Sequence, residues 1–398
     1  MSGIFGVISK GDCTRDLFYG TDYHSHLGTE YGGIAVMGPN GLSRQIHNIS
    51  QSQFKSKFYE DSRRMPGKSG IGVISAHDEQ PIYLNSKFGH FCIVTNGLIE
   101  NIDDLASGLM KRGVSFSEVT KGTVNQTELV AKIIVEGSSM LDGIEKVFSS
   151  IEGSCSLLII NKDGIYAARD NYGYTPLVIG KKKDAWAVTT ETAAFPNNGF
   201  EITKYLGPGE VVLLTDDGPV NKRPAGKTEQ ICAFLWIYTG FPASSYEGIS
   251  AEIVRERCGR FLAKRDKDIG IDVVSGVPDS GVGHAIGYAM ESGKPYRRPL
   301  VKYTPGYGRS YTPPSQERRD HIATMKLIPI KDVINGNRIV VCEDSIVRGT
   351  QLELHRKETL GRGREGSARQ ARLSAAHVPL HIQPFDQEHR GACGAKSN

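Results

Sequence analysis

Up to about Lys227 the hydrophobic positions fall in short runs, either wholly apolar or alternating: GIFGVIS, GGIAVMG, SGIGVISAH, HFCIVTNG, SCSLLIIN, GIYAARD, DAWAVTTE and GEVVLLTDDG. They are rich in Val and Ile and closed by Gly, Asn or Asp, as strands bounded by turns are. Two stretches carry helical spacing instead, NQTELVAKIIVEG and SSMLDGIEKVFSSI, with Asn125 or Thr127 available to cap the first. Many strands with few helices predict a layered α+β domain over residues 1–227. From about Thr228 the order becomes helix (SAEIVRERCGRFLAKRD), strand (IDVVSGV), helix (HAIGYAMESG) and two more strands (PLVKY and RIVVCED). That alternation predicts an α/β domain with a mainly parallel sheet over residues 228–352. Residues 353–398 follow neither period, and no strand is expected there.

Composition narrows the partners more than the fold. A chain of 398 residues exceeds what one core serves, which agrees with two domains. With 39% hydrophobic and 23% charged residues it is globular, and a net charge of +4 spread over both signs gives no reason to expect nucleic acid. MSGIFGVISK lacks the basic start and long apolar core of a signal peptide, and no run is long enough to span a membrane; a cytoplasmic location is expected. Seven scattered cysteines without a C-x-x-C pair suit reduced thiols rather than disulfides or zinc. Asp22, His24 and His26 crowd one polar stretch and read as a loop rather than a metal site.

The strongest chemical signal is RIVVCEDSIVRGT, Arg338 to Thr350. A buried strand ends in two adjacent acids, Glu343 and Asp344, and runs into a loop rich in hydroxyl and glycine. Such a loop at the carboxyl end of a parallel strand wraps a phosphate with backbone N–H groups, and an acid pair can hold neighbouring ribose hydroxyls. The set Glu343, Asp344, Ser345, Arg348, Gly349 and Thr350 closely resembles the phosphoribosyl pyrophosphate (PRPP) motif of type I phosphoribosyltransferases.

More of the chain is similar to one family of that class. VVSGVPDSGVGHAIGYAMESGKPY and LVKYTPGYGRSYTPPSQERRD resemble the PRPP side of the glutamine phosphoribosylpyrophosphate amidotransferases. The resemblance implies a pyrophosphate loop at Pro278, Asp279 and Ser280, and a flap carrying Lys302, Gly308 and Arg309. It further implies magnesium near Ser280, Glu343 and Asp344, and a homo-oligomer. The flap is one residue longer than the family pattern, with TPGYG in place of Arg-Tyr-Val-Gly. The amino-terminal half is similar to the class II glutamine amidotransferase domain of the same family, an N-terminal-nucleophile sandwich of two sheets between helices. Its landmarks are SGIFGVI, HLGTEYGGIAV, IVTNGLIEN, ARDNYGYTPLVIG, TTETAAF and LGPGEVVLL.

Several departures bear on the chemistry of that half. An N-terminal nucleophile attacks with its own freed amine as base, but Ser2 stands where the family has Cys, and a hydroxyl is harder to deprotonate than a thiol. Gly72-Val-Ile-Ser-Ala-His77 replaces the segment whose arginine pairs with the glutamine carboxylate, and Gln126 stands where an Asp would meet the glutamine ammonium. Asn96-Gly97 matches the oxyanion-hole pair and equally fits a hairpin turn. The expected reaction is therefore formation of 5-phosphoribosylamine from PRPP, the first step of purine synthesis, with ammonia favoured over glutamine. A non-catalytic PRPP- or nucleotide-sensing regulator is the alternative.

The last 46 residues do not resemble the family as written. Shifted by one base, Thr359 to Arg369 allows LWDAGAKEVHV, and Leu373 to Gly394 allows CPPLMFPCIYNLSTRSTEELAA, which restores a Cys-Pro-Pro and a Pro-Cys in register. A frameshift near Leu352 and a disordered tail over 353–398 are expected. The chain as given does not support an iron–sulfur cluster.

Overall fold

The computed structural model describes residues 2–120, 122–266, 270–303, 327–345 and 373–376. Its contacts divide the chain into two compact units, Met1–Ala251 and Glu252–Asn398.

The first unit holds two antiparallel sheets. One runs in the spatial order Glu201–Tyr205, Val178–Lys182, Ala185–Thr189, Gly3–Ser9, Ser69–Ser75, Tyr31–Gly38 and Gly41–Asn48. The other runs Gly218–Arg223, Val211–Thr215, Gly164–Ala168, Gly153–Asn161, Gly89–Ile99 and Ile82–Ser86. The period of two along each strand sends alternate residues to opposite layers. Thus Ile4 and Ile8 meet Val94, Leu158, Ile160 and Val212 between the sheets. Phe5 and Val7 face the other way, onto Leu17, Phe54 and Phe58 of the helices Thr14–Asp22 and Phe54–Arg64. The second sheet is covered by the helices Ile102–Lys111, Gln126–Val135 and Met140–Ser150 through Leu109, Leu129, Ile133, Ile144 and Val147. Each fully buried aliphatic side chain contributes about 1.5–3 kcal/mol, so covering both faces of both sheets is what holds this unit together.

The unit extends past Lys227 to Ala251 because the intervening segment is bonded onto it. Buried Glu191 accepts hydrogen bonds from Ser244 and, at 2.8 Å, from Tyr246. Buried Arg169 pairs with Glu247 at 2.7 Å. Trp236 is half-buried and donates to the Ile249 carbonyl at 3.0 Å; Trp186 is likewise half-buried. His24 lies in the core after the helix Thr14–Asp22, with its ring nitrogens on the Gly20 carbonyl (2.8 Å) and the Thr189 hydroxyl (2.9 Å).

In the second unit Val273–Gly276 pairs in parallel with Ile339–Cys342, with Gly276 opposite Cys342. The helices Ala251–Arg265 and Val282–Ser292 pack on this pair through Leu262, Ala285 and Tyr288 against Val274 and Val340. Leu300–Lys302 and Leu327–Pro329 form a separate antiparallel ribbon. One expectation is corrected: Leu373–Ala376, in the stretch where no strand was expected, forms a third parallel strand beside Ile339–Cys342. Parallel pairing needs only backbone N–H and C=O groups, so an open sheet edge accepts a segment that lacks strand periodicity. No helix among the described residues is long and apolar enough to cross a membrane.

Candidate functional site

Two groups of residues gather chemistry, one in each unit. In the second unit the site is built at the carboxyl ends of the two parallel strands. Val277 donates its N–H to the Cys342 carbonyl at 2.9 Å, and Gly281 donates to the Val277 carbonyl at 2.8 Å, so the 277–281 loop folds back against the end of the neighbouring strand. The approach is close enough to require glycine: a Cβ on Gly281 would lie 2.2 Å from the Cys342 oxygen. Pro278, Asp279 and Ser280 thereby sit beside Glu343 and Asp344, two segments that are far apart in sequence. The Pro278–Asp279 peptide is cis. Lys302 reaches the same loop, its Nζ 2.7 Å from Asp279 Oδ2.

The acid pair is buried, at 9% and 6% exposure. Burial, with the neighbouring Asp344 charge, pushes the Glu343 carboxyl up to about 8. Burial likewise pushes Asp344 up to about 6, opposed by the charge of buried Arg255 and by the Ser345 hydroxyl, which donates at 3.3 Å. Two carboxyls held this close in a dry site resist carrying two negative charges without a cation, which is the donor chemistry that a hard divalent ion satisfies. The described residues contain no group of three or more His, Cys, Asp or Glu side chains able to hold a metal, so oxygens from another source would complete its shell. Arg348, Gly349, Thr350, Gly308 and Arg309 lie outside the described residues.

In the first unit the strands Gly3–Ser9 and Gly89–Ile99, from different sheets, bring Ser2 to Asn96. The Ser2 N–H donates to Asn96 Oδ1 at 3.0 Å, and its hydroxyl lies 3.5 Å from that of buried Ser75. Asn96 and Gly97 are not a hairpin turn: they lie in a continuous strand, in register with Ser156 and Cys155. A Cβ on Gly97 would be 2.0 Å from the Ser154 carbonyl, so the neighbouring strand dictates glycine there. Gln126 begins the helix Gln126–Val135, capped by Asn125 through the N–H groups of Thr127 and Glu128. The Gln126 side chain accepts from Ile99 N–H at 2.9 Å and donates to the Gly97 carbonyl at 3.4 Å, clamping the strand end that carries the pair.

Sequence reasoning missed Ser75 and Asp78 here, and Arg255 in the second unit. Ser75 Oγ accepts from the N–H groups of His77 (3.4 Å) and Asp78 (3.1 Å), which turns the loop after the strand Ser69–Ser75 back toward Ser2. Ser75 lies near the end of the run SGIGVISAH and Asp78 follows it, neither with a distinguishing motif, and Arg255 is one of several basic residues in its helix, so only the fold distinguishes them.

The family model for a glutamine amidotransferase domain matches residues 69–197. The chain is 32% identical over 377 residues to the amidophosphoribosyltransferase of Methanocaldococcus jannaschii, covering 88% of this chain and 79% of that protein. It is 31% identical over 363 residues to the Synechocystis amidophosphoribosyltransferase, covering 87% and 72%. The solved structure of the Bacillus subtilis glutamine PRPP amidotransferase complexed with ADP and GMP superposes with a TM-score of 0.82 at 29% identity, covering 96% of this chain and 83% of that one.

Proposed function

The chain belongs to the amidophosphoribosyltransferase family, and on that premise we propose that it makes 5-phosphoribosylamine from PRPP with ammonia, rather than glutamine, as nitrogen source. The observation that carries the transferase reading is the meeting of the 277–281 loop with Glu343 and Asp344 at the ends of parallel strands. In that reaction the C1–O bond to pyrophosphate breaks as the ammonia nitrogen bonds to C1, and one proton leaves the new amine. The protein's task is to hold the pyrophosphate and keep water from C1, with no side-chain nucleophile required. Backbone N–H groups of the 277–281 loop, with Lys302, are suited to the pyrophosphate. Glu343 and Asp344 are suited to the ribose hydroxyls. Arg309, Arg348, Gly349 and Thr350 join them by resemblance alone. Ser280, Glu343 and Asp344 would hold magnesium, which supplies charge neutralisation for the leaving pyrophosphate.

The preference for ammonia rests on the first unit. Ser2, Asn96 and Gly97 keep the arrangement of an N-terminal-nucleophile amidase, but the position expected to hold the glutamine ammonium is Gln126, already spent on Ile99 and Gly97. No arginine occurs in residues 72–77 for the carboxylate. The same losses favour the second reading, a PRPP-sensing regulator without turnover. Pyrophosphate release from PRPP and magnesium, measured with ammonium chloride and then with glutamine, tests both. Turnover with ammonia alone is expected; equal rates with glutamine would overturn the nitrogen assignment, and no turnover with either would leave the regulator.

We also propose that residues 353–398 are an out-of-frame reading of the end of the transferase unit. Sequencing the coding DNA through Leu352 checks this, and an intact single frame would reject it.

A further inference from the structure

Asp78 is a half-buried carboxylate that the reaction proposed above does not use. Its backbone N–H and the Ser2 hydroxyl both approach Ser75 Oγ, at 3.1 and 3.5 Å, so the two residues share one small hydroxyl. The carboxyl faces the first turn of the helix Gln126–Val135: burial pushes it up to about 6, and the N–H of Gln126 acts in the opposite sense, favouring its charged form. The loop that carries it is fixed at several points. Asn125 Nδ2 donates to the Glu79 carbonyl at 3.0 Å, and Gln80 Oε1 accepts from Thr95 N–H at 2.7 Å, one residue before Asn96. Gln126 ties the same helix start to Gly97. Ser2, Asn96, Gly97 and Asp78 are therefore tied to one another through Ser75, Gln80, Asn125 and Gln126, and Asp78 is the one carboxylate among these four.

We propose that the Ser2 site binds small ω-amides that carry an ammonium group and no carboxylate, with Asp78 as the residue that selects them. The acid missing from position 126 is supplied from the facing loop, beside the backbone of that same position. Residues 72–77 offer no arginine to a ligand carboxylate, which would approach the like charge of Asp78. A charged end group held by a half-buried partner gains more than one in open water, and an isostere that lacks the charge loses that gain. This inference rests on Ser2, Asn96 and Gly97 forming an amidase-type pocket, as argued above; it adds the ligand class and does not require turnover.

The test is isothermal titration of the whole protein with 4-aminobutanamide, with its uncharged isostere pentanamide, and with glutamine. The charged amide is expected to bind about tenfold more tightly than either of the others, a difference of about 1.4 kcal/mol. In Asp78→Asn, which keeps the shape but not the charge, the preference over pentanamide should vanish, with thermal melting confirming that the variant is folded. Equal affinity of the two isosteres for the unaltered protein, or an undiminished preference in Asp78→Asn, overturns the role of Asp78. Failure of all three compounds to bind overturns the amidase-type pocket as well. Neither result bears on ammonia-dependent use of PRPP, which is read in a separate assay.

Discussion

Buried carboxylates differ between the two units, and the difference separates support from chemistry. In the first unit they are saturated with donors. Asp170 accepts from the N–H groups of Tyr172, Tyr174 and Thr175 at 3.1, 3.0 and 2.8 Å, and from the Ser156 hydroxyl at 3.3 Å. Glu128 accepts from three donors, the Ser117 N–H and hydroxyl and the Glu118 N–H. For Glu191, burial alone would raise the carboxyl, yet His26, Ser244 and Tyr246 together hold it below its ordinary range. These acids act as hubs that tie loops to the sheets. Glu343 in the second unit, buried at 9% exposure, has no hydrogen-bond donor among the described residues, and Asp344 has only its own and the Ser345 backbone N–H and the Ser345 hydroxyl, the last at a long 3.3 Å. Acids left short of donors in a dry place are poised for an incoming cation or ligand.

That contrast can be broken most severely at the acid pair. Glu343→Gln with Asp344→Asn should lower ammonia-dependent pyrophosphate release by about a thousandfold, while the fold survives or gains stability; a rate near that of the unaltered protein would remove the pair from the site. Asp170→Ala should do the reverse in kind, costing about 3 kcal/mol of stability by stranding its donors. This is read as a fall in melting temperature by tryptophan fluorescence, because Trp186 and Trp236 both belong to the first unit. Lys302→Ala should raise the KM for PRPP about tenfold with a smaller change in kcat, provided the lysine binds pyrophosphate.

The smallest effect is in pH, with opposite signs for Glu343 and His24. Glu343 is raised from 4.5 to about 8, so the folded chain holds a proton that the unfolded chain has lost, and stability falls as pH rises through that window. His24, held at about 4 by burial from an ordinary 6.5, binds its proton less readily when folded; its contribution is complete above 6.5 and is lost as pH falls toward 4. His284, also near 4, adds the same slope as His24 to the second unit, so the acid pair is best read between pH 6.5 and 8. Melting monitored by circular dichroism should show a slope there that Glu343→Gln removes. Below 6.5, the difference between the unaltered protein and His24→Asn should grow smaller as pH falls.

Much of the fold was legible because its strands are buried on both faces and read as apolar runs, from GIFGVIS to GEVVLLTDDG. What stayed hidden had another kind of pattern. The strand Gly41–Asn48 is polar and half-exposed along an edge, and the helices Thr14–Asp22 and Phe54–Arg64 bury only a few residues, with Phe18, Phe54 and Phe58 doing most of the packing. In the second unit, contiguous motifs gave Asp279, Ser280, Glu343 and Asp344, since loop and strand each carry their chemistry in one short run. In the first unit the site is assembled from four separate segments, so the family resemblance could place Gln126 where an acid is usual but could not show Asp78 standing beside it. Asn96-Gly97 illustrates the ambiguity most simply: the same dipeptide serves a turn or a crowded strand, and only the Ser154 carbonyl on the adjacent strand decides.

The ion pair of Lys302 with Asp279 has one more consequence. At 32% and 72% side-chain exposure it is largely wetted, and pairs of that kind are worth at most about 1 kcal/mol. If Lys302 binds pyrophosphate as proposed, Asp279 would act as a placeholder, keeping the ammonium parked at the rim of the loop and yielding it at little cost to a more highly charged anion. Raising ionic strength would loosen the parking and weaken the arriving anion together, so the resting pose and the loaded one should share a single dependence on salt.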